Sequence, residues 1–244
     1  MESFFIEGGR PLQGTIRAAG NKNGALPILA ATLLADGPVV LSNVPRIRDV
    51  ETMVEILADL GADATWTGAN EVRVHAPALA KTELDVELAK RIRASFLLAG
   101  PLLAREQQAT LPPPGGDVIG RRRLDTHIHA LTELGAVIDT SGPAYAMRTG
   151  GLRGKAIFLD EASVMATENA VMAAVLAPGQ TILANAACEP HVQDLCRFLA
   201  SLGARIDGIG SNVLRIDGVE RLSGGTHTIS PDHIEVASFV GLAA

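Results

Sequence analysis

Apolar and polar positions alternate with helical spacing in three stretches of the chain, and each stretch ends in the tripeptide Leu-Gly-Ala. The tripeptides occupy residues 60–62, 134–136 and 202–204. Before each of them, apolar residues recur every three to four positions, as in a helix that buries one face. Each glycine stands where a helix end favours a residue that can adopt positive φ. The pattern therefore predicts three outer helices that end at these glycines.

A second set of three segments is rich in alanine and leucine and has no polar face. A helix without a polar face is buried on all sides. A short apolar run follows each segment and predicts a strand. The predicted buried helices and their strands are 26–35 with 38–42, 94–105 with 109–111, and 168–177 with 181–184.

The two sets alternate in a repeat of about 70 residues: buried helix, strand, loop, outer helix, Leu-Gly-Ala and a pair of short strands. The predicted strand pairs include 64–67 with 71–75 and 205–207 with 213–216. Gly37 and Gly179 are 142 residues apart, and so are Gly61 and Gly203. Chance recurrence of a common tripeptide would not reproduce this flanking order. We therefore predict an α/β fold with buried helices inside and with sheets and outer helices around them.

The middle repeat is longer than the other two. From the strand leucine to the tripeptide glycine there are 20 residues in the first and third repeats, and 24 from Leu111 to Gly135. The insertion of roughly four residues falls in the stretch 110–129, which has the sequence T-L-P-P-P-G-G-D-V-I-G-R-R-R-L-D-T-H-I-H. Function tends to concentrate where one loop of a regular scaffold is extended.

This extended stretch contains an acid beside a cluster of cations. Its prolines and glycines exclude a continuing helix or a central strand. Asp117 then precedes three consecutive arginines at 121–123. Such a cluster can bind an anion next to an acid. The composition of the stretch fits a solvated surface turn equally well.

Two further segments carry candidate chemistry. The residues G-N-K-N-G at 20–24 precede the first buried helix, where backbone N–H groups and Lys22 could bind an anion, although an ordinary polar turn has the same composition. Arg93 opens the second buried helix and needs a partner there. His127 and His129 would diverge on a helix, so we predict no metal site.

Composition narrows the class of protein. Hydrophobic residues make up 47% and aromatic residues 3%, so the core consists of Ala, Leu, Val and Ile. A net charge of −6 argues against nucleic acid as a partner.

Cys188 and Cys196 fit neither a redox pair nor a zinc ribbon and are expected to be free thiols. The N-terminus lacks the basic region of a signal peptide, and no uncharged run reaches the ~18 residues of a membrane helix. We predict a soluble cytoplasmic protein without a membrane partner.

Four strings of the sequence resemble one family. They are G-N-K-N-G-A-L-P-I-L-A-A-T-L-L-A from residue 20, R-A-S from 93, P-G-G-D-V-I-G-R-R-R-L-D-T-H-I from 114 and E-P-H-V-Q-D-L from 189. The strings are similar to those of the UDP-N-acetylglucosamine 1-carboxyvinyltransferases, the enolpyruvyl transferases of peptidoglycan synthesis. The resemblance covers the whole chain and corresponds to somewhat more than half of a full-length member.

The resemblance implies a fold and a division into domains. The family fold is a pair of inside-out α/β barrels, each built from three βαβαββ units. Residues 20–229 would form one complete domain, with a catalytic loop at 110–126, while 1–19 and 230–244 would belong to a split second domain. The apolar run at 232–244 also lacks the glycine and strand that should follow a buried helix. We therefore expect a fragment, with a natural C-terminal cap helix as the alternative.

The resemblance also implies a reaction and the residues that serve it. The enolpyruvyl group of phosphoenolpyruvate is transferred to the 3′-hydroxyl of UDP-N-acetylglucosamine and phosphate is released, without a cofactor. Asp117 stands where many members have cysteine and would be the general acid that protonates C3 of phosphoenolpyruvate. Lys22, Asn23 and Arg122 would bind phosphoenolpyruvate. The residues implied for the UDP-sugar are Asn23, Arg93, Arg122, Arg123, Leu124, Asp125, Thr126, Ser163 and Val164.

The chain departs from the family pattern at three places, and these departures affect the expectations. Residues 112–114 are three prolines where one is usual, Glu161 replaces a common lysine, and Met165 replaces a common glycine. Because the second acid–base carboxylate of the family would lie outside these 244 residues, we expect the chain alone to be inactive or nearly so. A non-catalytic sugar-nucleotide-binding module is the alternative.

Overall fold

The computed structural model describes residues 3–5, 7–9, 11, 13–116 and 123–243. The α-helices in these residues are α1 Lys22–Ala31, α2 Arg48–Asp59, α3 Val86–Ala89, α4 Ala99–Glu106, α5 Asp125–Glu133, α6 Val164–Ala174, α7 Pro190–Ser201 and α8 His233–Ala243. Two 3₁₀-helices precede or extend them, at Thr32–Leu34 and Arg93–Leu98. The strands are β1 Val39–Ser42, β2 Asp63–Gly68, β3 Glu71–His75, β4 Gln108–Leu111, β5 Val137–Asp139, β6 Tyr145–Arg148, β7 Ala156–Phe158, β8 Gln180–Ala184, β9 Arg205–Asp207, β10 Val213–Asp217 and β11 Gly225–Thr228. Across the described ranges, no helix combines the length and apolarity needed to cross a bilayer.

The three apolar segments form the buried centre of the molecule, as predicted. Helices α1 and α6 are buried along almost their whole length, and α4 packs against α6. The segment before α4 is a 3₁₀-helix and packs against α1. Helix α1 begins at Lys22, four residues before the predicted start, because the Asn21 side chain caps it by accepting from the Gly24 amide at 3.1 Å. Hydropathy alone places the start at the first leucine and overlooks the polar first turn.

The outer helices α2, α5 and α7 end where the Leu-Gly-Ala tripeptides predicted. Gly61, Gly135 and Gly203 have φ values of 102°, 108° and 112°. These values favour glycine because a Cβ atom is strained in the left-handed region. Helices α2 and α7 pack on α1, and α5 packs on α6, so each outer helix buries its apolar face against the central segments. Cys188 is exposed and Cys196 is buried, and both are free thiols.

Three sheets surround the helices, and each contains one more extended segment than the hydrophobic pattern predicted. Their strand orders are β11-β1-β3-β2, β7-β8-β10-β9 and β4-β6-β5. In the first two sheets the additional strand, β11 or β7, pairs in parallel with the strand that follows the buried helix. In the third sheet this partner is reduced to a single parallel bridge between Glu83 and Thr110. The order βαβαββ expected from the resemblance is therefore confirmed.

The first and third units share a constraint that the middle unit lacks. Asn43 and Asn185 directly follow β1 and β8, with φ values of 55° and 57°. The side-chain amide of Asn43 donates to the Ile229 carbonyl, and that of Asn185 to the Leu159 carbonyl, each at 2.8 Å. The middle unit has Pro112 at this position, and proline cannot adopt positive φ or supply this donor. The residue after β4 therefore lacks both the positive φ and the side-chain hydrogen bond that follow β1 and β8.

The extension of the middle unit is larger than the predicted four residues. Thirteen residues, 112–124, separate β4 from α5, whereas five separate β1 from α2 and five separate β8 from α7. Helix α5 has 9 residues, and α2 and α7 have 12 each. Because α5 is shorter than α2 and α7, the spacing from the strand leucine to the tripeptide glycine underestimates the length of the loop between β4 and α5.

The chain enters and leaves the three units at neighbouring positions. The Asn21 amide donates to the Ser230 carbonyl at 2.9 Å, and the Asp232 amide donates to the Ala19 carbonyl at 2.8 Å. Helix α8 follows this crossing, and none of its residues is buried. Its large exposed apolar side chains are Ile234, Val236, Val240 and Leu242.

Candidate functional site

The N-terminal ends of the three buried segments meet at one surface groove. Met165, in the first turn of α6, lines three adjoining cavities of about 300, 400 and 300 Å3. Asn23 from α1 and Ala94 from the 3₁₀-helix each line two of them. We name the cavities after a characteristic residue: the Lys22 lobe, the Arg123 lobe and the Glu168 lobe. Helix N-termini carry partial positive charge and unpaired N–H groups, so this arrangement favours anions.

The Lys22 lobe is small and cationic. Its walls include Lys22, Arg91 and Arg93, opposed by the carboxylate of Asp49. The Lys22 ammonium lies 3.1 Å from Asp49, and both side chains are about 40% exposed. Such an exposed ion pair contributes only about 0–1 kcal/mol, so an anionic ligand can compete for the ammonium group. The lobe suits a compact anion with one or two acidic groups.

The Arg123 lobe is larger and lies at the start of α6. Ser163 caps this helix by accepting from the Ala166 amide at 3.4 Å. The Arg93 guanidinium reaches the Arg123 carbonyl at 3.2 Å, so the partner expected for Arg93 includes the backbone of Arg123. The Arg123 side chain pairs with Asp125. Two arginines facing a helix N-terminus are an arrangement that binds phosphate groups.

His127 lines the Arg123 lobe as a neutral hydrogen-bond donor. Its Nδ1 accepts from the Asn169 amide nitrogen at 2.9 Å, and the Asn169 oxygen is identified because it accepts from the Gly100 amide at 2.8 Å. The proton of the neutral ring is therefore on Nε2. Burial, with a smaller contribution from the nearby charge of Arg93, lowers the pKa of His127 to about 3. Sequence reasoning considered this histidine only as a metal ligand.

The groove is lined by six of the residues that the family resemblance implied for substrate binding: Lys22, Asn23, Arg93, Arg123, Ser163 and Val164. The side chains of the next three residues after Arg123 have protein partners. Leu124 packs in the core, Asp125 pairs with Arg123, and Thr126 donates to the Asp160 carboxylate at 2.8 Å.

Asp117 and Arg122 lie outside the described residues. Gly116, which precedes them, lines the Lys22 lobe, and Arg123, which follows them, lines the Arg123 lobe. The start of the loop is held against the end of α3, since the Gly115 amide donates to the Ala89 carbonyl at 3.3 Å. A Cβ atom on Gly115 would lie 1.6 Å from the Lys90 carbonyl oxygen. Glycine is required here so that the two backbones can approach.

Several groove residues were not found from the sequence. Arg91 and Asp49 line the Lys22 lobe, and Glu168, Glu189 and His191 line the Glu168 lobe. A signal was available for Glu168, because a charged residue inside an apolar helix is rare unless it has a partner. No comparable signal marks Asp49 or Arg91, which resemble ordinary surface charges.

Comparison with known proteins connects this groove to a family. Residues 6–244 match the sequence profile of EPSP synthase (3-phosphoshikimate 1-carboxyvinyltransferase). The chain belongs to this family. Among its members, the UDP-N-acetylglucosamine 1-carboxyvinyltransferase of Bradyrhizobium diazoefficiens is 57% identical over 241 residues, and that of Treponema denticola is 52% identical over 244 residues. These identities confirm the resemblance predicted from the four strings.

The relatives are longer than this chain. The alignments cover 99% and 100% of the chain, but only 56% and 57% of the two relatives. Solved structures agree on the fold. The enolpyruvyl transferase NikO from Streptomyces tendae has a TM-score of 0.83 at 26% identity, over 96% of this chain and 56% of its own. EPSP synthase from Acinetobacter baumannii has a TM-score of 0.75 at 21% identity, over 95% of this chain and 53% of its own, and supports the fold alone.

Proposed function

We propose that this chain carries the catalytic loop and phosphate-binding groove of a UDP-N-acetylglucosamine 1-carboxyvinyltransferase. The reaction moves the enolpyruvyl group of phosphoenolpyruvate to the 3′-hydroxyl of UDP-N-acetylglucosamine and releases phosphate, in the cytoplasm and in the service of peptidoglycan synthesis. The observation that carries the proposal is a pair of adjoining cationic lobes with helix N-termini at their walls. The smaller lobe suits phosphoenolpyruvate and the larger suits a diphosphate.

The proposed domain division follows from the same arrangement. Residues 20–229 form the three-unit domain, and residues 1–19 and 230–244 belong to a second domain. The adjacent crossing of the chain at Asn21 and Ser230 and the unburied helix α8 support this division.

In the proposed mechanism, Lys22 and Arg122 bind the anionic groups of phosphoenolpyruvate, and Asn23 lies between the two substrates. Asp117 gives its proton to C3 as the sugar 3′-oxygen forms a bond to C2, which produces a tetrahedral adduct. The 3′-hydroxyl proton passes to the second acid–base carboxylate that the family resemblance implies outside these 244 residues. A carboxylate of the site then takes a proton from C3, the C–H electron pair forms the double bond, and the C2–O bond breaks as phosphate departs, which restores the vinyl group. Fixed cations stabilise the phosphate charge throughout, which is the main way such sites lower a barrier.

Release of phosphate in the presence of both substrates tests the proposal. The protein in its full expressed length should release phosphate only when phosphoenolpyruvate and UDP-N-acetylglucosamine are both present. The 244-residue chain alone is expected to release little. If the full-length protein binds UDP-N-acetylglucosamine but releases no phosphate, the alternative of a non-catalytic sugar-nucleotide-binding module is correct.

Replacing Lys22 by Met is expected to raise KM for phosphoenolpyruvate about 10- to 100-fold, since a charge-assisted hydrogen bond contributes about 1.5–3 kcal/mol. Methionine keeps the length of the side chain and removes its charge. Phosphate release against phosphoenolpyruvate concentration provides the measurement. Lys155, which also forms an exposed ion pair, is the matched control as Lys155→Met. An unchanged KM in Lys22→Met would remove Lys22 from the site.

Replacing Glu161 by Gln is expected to tighten binding of UDP-N-acetylglucosamine about two- to fivefold at low salt. Glu161 lines the Arg123 lobe with Arg93 and Arg123, where its negative charge opposes a diphosphate. The gain should shrink as salt is added, because screening weakens exposed charges. Calorimetry at two ionic strengths measures both effects. Glu220→Gln makes the same change of net charge away from the groove residues, and an equal gain there would exclude a local cause.

A further inference from the structure

The Glu168 lobe differs in chemistry from the two lobes beside it. Its lining residues include no lysine or arginine. Apolar walls come from α1, the 3₁₀-helix and α6, and the polar groups are an amide, two carboxyl groups and an imidazole. These lining residues are Asn23, Leu26, Pro27, Ala94, Leu97, Val164, Met165, Glu168, Glu189 and His191. A phosphate group would find no cation here, so the lobe suits an uncharged part of a ligand.

Glu168 is an unpartnered buried carboxyl group within this lobe. It lies in the middle of α6 and is 1% exposed. Its Oε1 atom has no hydrogen-bond partner among the described residues. The polar residues on either side of it are satisfied: the Thr167 hydroxyl donates to the Ser163 carbonyl at 2.8 Å, and Asn169 bonds to Gly100 and Phe96. Glu168 is therefore an exception within its own helix.

The Oε1 atom of this carboxyl group makes no hydrogen bond that would stabilise the fold. A buried polar atom that lacks a partner destabilises the folded state, and an apolar side chain of the same length would fill the position without that penalty. Burial raises the pKa of Glu168 well above its ordinary value, and the charge of Glu189 raises it further. The group is then a carboxylic acid with one O–H donor and one carbonyl acceptor, in a residue that lines the Glu168 lobe.

A second unpartnered group lies in the same cavity. The Nδ1 atom of His191 is buried and has no hydrogen-bond partner within the described part of the chain. Burial is the main cause that lowers the pKa of His191, which favours the neutral ring. Two unsatisfied buried polar groups around one cavity call for a partner that the protein itself does not supply.

We propose that the Glu168 lobe receives the uncharged sugar of the acceptor substrate and that the Glu168 carboxyl group hydrogen-bonds a hydroxyl or amide group of that sugar. This inference rests on the proposed function. Each lobe would then bind the chemical group that suits its charge. Phosphoenolpyruvate would bind in the Lys22 lobe, and the diphosphate and the sugar of the acceptor would bind in the Arg123 lobe and the Glu168 lobe. Asn23, which lines both the Lys22 and Glu168 lobes, stands at the boundary where the 3′-hydroxyl must meet phosphoenolpyruvate.

Three substitutions separate a positioning role of Glu168 from a structural one. Glu168→Met removes the polar group but keeps the volume, Glu168→Asp withdraws the carboxyl group from the lobe, and Glu168→Gln keeps one donor and one acceptor at the same place. We expect KM for UDP-N-acetylglucosamine to rise about tenfold in Glu168→Met and about three- to tenfold in Glu168→Asp. Glu168→Gln should stay within about threefold of wild type. The melting temperature of Glu168→Met should equal or exceed that of the wild type.

Binding of three ligands identifies the group that Glu168 contacts. In full-length protein, Glu168→Met should weaken binding of UDP-N-acetylglucosamine but leave binding of UDP unchanged, because UDP lacks the N-acetylglucosamine moiety that would enter the lobe. UDP-glucose, which has a hydroxyl in place of the acetamido group, distinguishes the two kinds of contact: equal weakening assigns a shared hydroxyl, and a smaller effect assigns the acetamido group. Glu220→Met serves as the control.

Two results would overturn the inference. One is an unchanged KM for UDP-N-acetylglucosamine in both Glu168→Asp and Glu168→Met. The other is equal weakening of UDP and UDP-N-acetylglucosamine, which would indicate general damage to the groove. If Glu168→Met does not fold, Glu168→Asp and Glu168→Gln decide between the outcomes. Wild-type protein that releases no phosphate would instead refute the proposed function, a separate failure.

Discussion

Asp117→Asn is expected to lower kcat for phosphate release at least 100-fold and to leave KM for UDP-N-acetylglucosamine within about threefold. A positioned general acid contributes about 10²- to 10⁴-fold to a rate, and asparagine cannot donate a proton to carbon in its place. Asparagine has nearly the same shape as aspartate, so substrate binding should survive. Steady-state phosphate release with each substrate varied gives the two constants.

The arginines that follow Asp117 in the sequence oppose its role as an acid. Three arginines follow it at 121–123, and their positive charge favours the carboxylate over the acid. We expect bound phosphate groups to neutralise those arginines and closure of the loop to desolvate Asp117, so that it holds a proton only when substrate is bound. The pH–rate profile of the wild type should then differ from that of Asp117→Asn, which has no acid at this position. Identical pH–rate profiles would contradict the role of Asp117.

Two further variants control the Asp117 experiment. Asp207→Asn makes the same chemical change at an exposed carboxylate at the end of β9 and should leave kcat unchanged. The family resemblance implies that an epoxide alkylates members with cysteine at this position, so Asp117→Cys should retain activity and become sensitive to that epoxide. Wild type should resist that reagent, because a carboxylate is a poor soft nucleophile. Alkylation of the wild-type loop would contradict this assignment.

Asn169→Leu is expected to lower the free energy of unfolding by about 3–5 kcal/mol, the largest stability effect that the structure predicts. The Asn169 amide accepts from the Gly100 amide at 2.8 Å and donates to the Phe96 carbonyl and to His127 Nδ1, each at 2.9 Å. Leucine has similar volume, but it would remove these three bonds and leave His127 Nδ1 and the Gly100 amide without their Asn169 partner, while the Phe96 carbonyl would keep only its bond from the Ala99 amide. The three partners belong to α4, the 3₁₀-helix before it and α5, so the change also loosens the wall of the groove.

Chemical denaturation of the wild type and the variant measures this effect. The midpoint should shift strongly to lower denaturant concentration, and the acceptor KM should rise because His127 and Arg93 lose their fixed positions. Asn212→Leu is the matched control, since Asn212 is exposed and makes no side-chain hydrogen bond in the described structure. One net hydrogen bond typically contributes about 1 kcal/mol. If the free energy of unfolding falls by less than that, the Asn169 amide does not hold its three partner segments together.

Much of the fold was predictable because its signals are local. The glycines at 61, 135 and 203 mark helix ends by the conformation that each position requires, and the three apolar segments mark the core by the absence of a polar face. The strands β7 and β11 were missed because neither directly follows a buried helix or a Leu-Gly-Ala tripeptide, which were the positions at which short strands were predicted. Strand β11 also belongs to the first unit in space but to the last in sequence.

The sequence by itself determined the family, the three-unit order and six residues of the groove, because each of the motifs that carry the resemblance lies within one local segment. Only the tertiary structure brought those segments together at the N-terminal ends of three buried helices, which are far apart in the chain. It also decided the state of two polar residues that the sequence leaves ambiguous: His127 is a neutral donor because Asn169 occupies its Nδ1, and Glu168 has no partner among the described residues. Partnership and burial depend on what surrounds a side chain, and residues distant in sequence supply those surroundings.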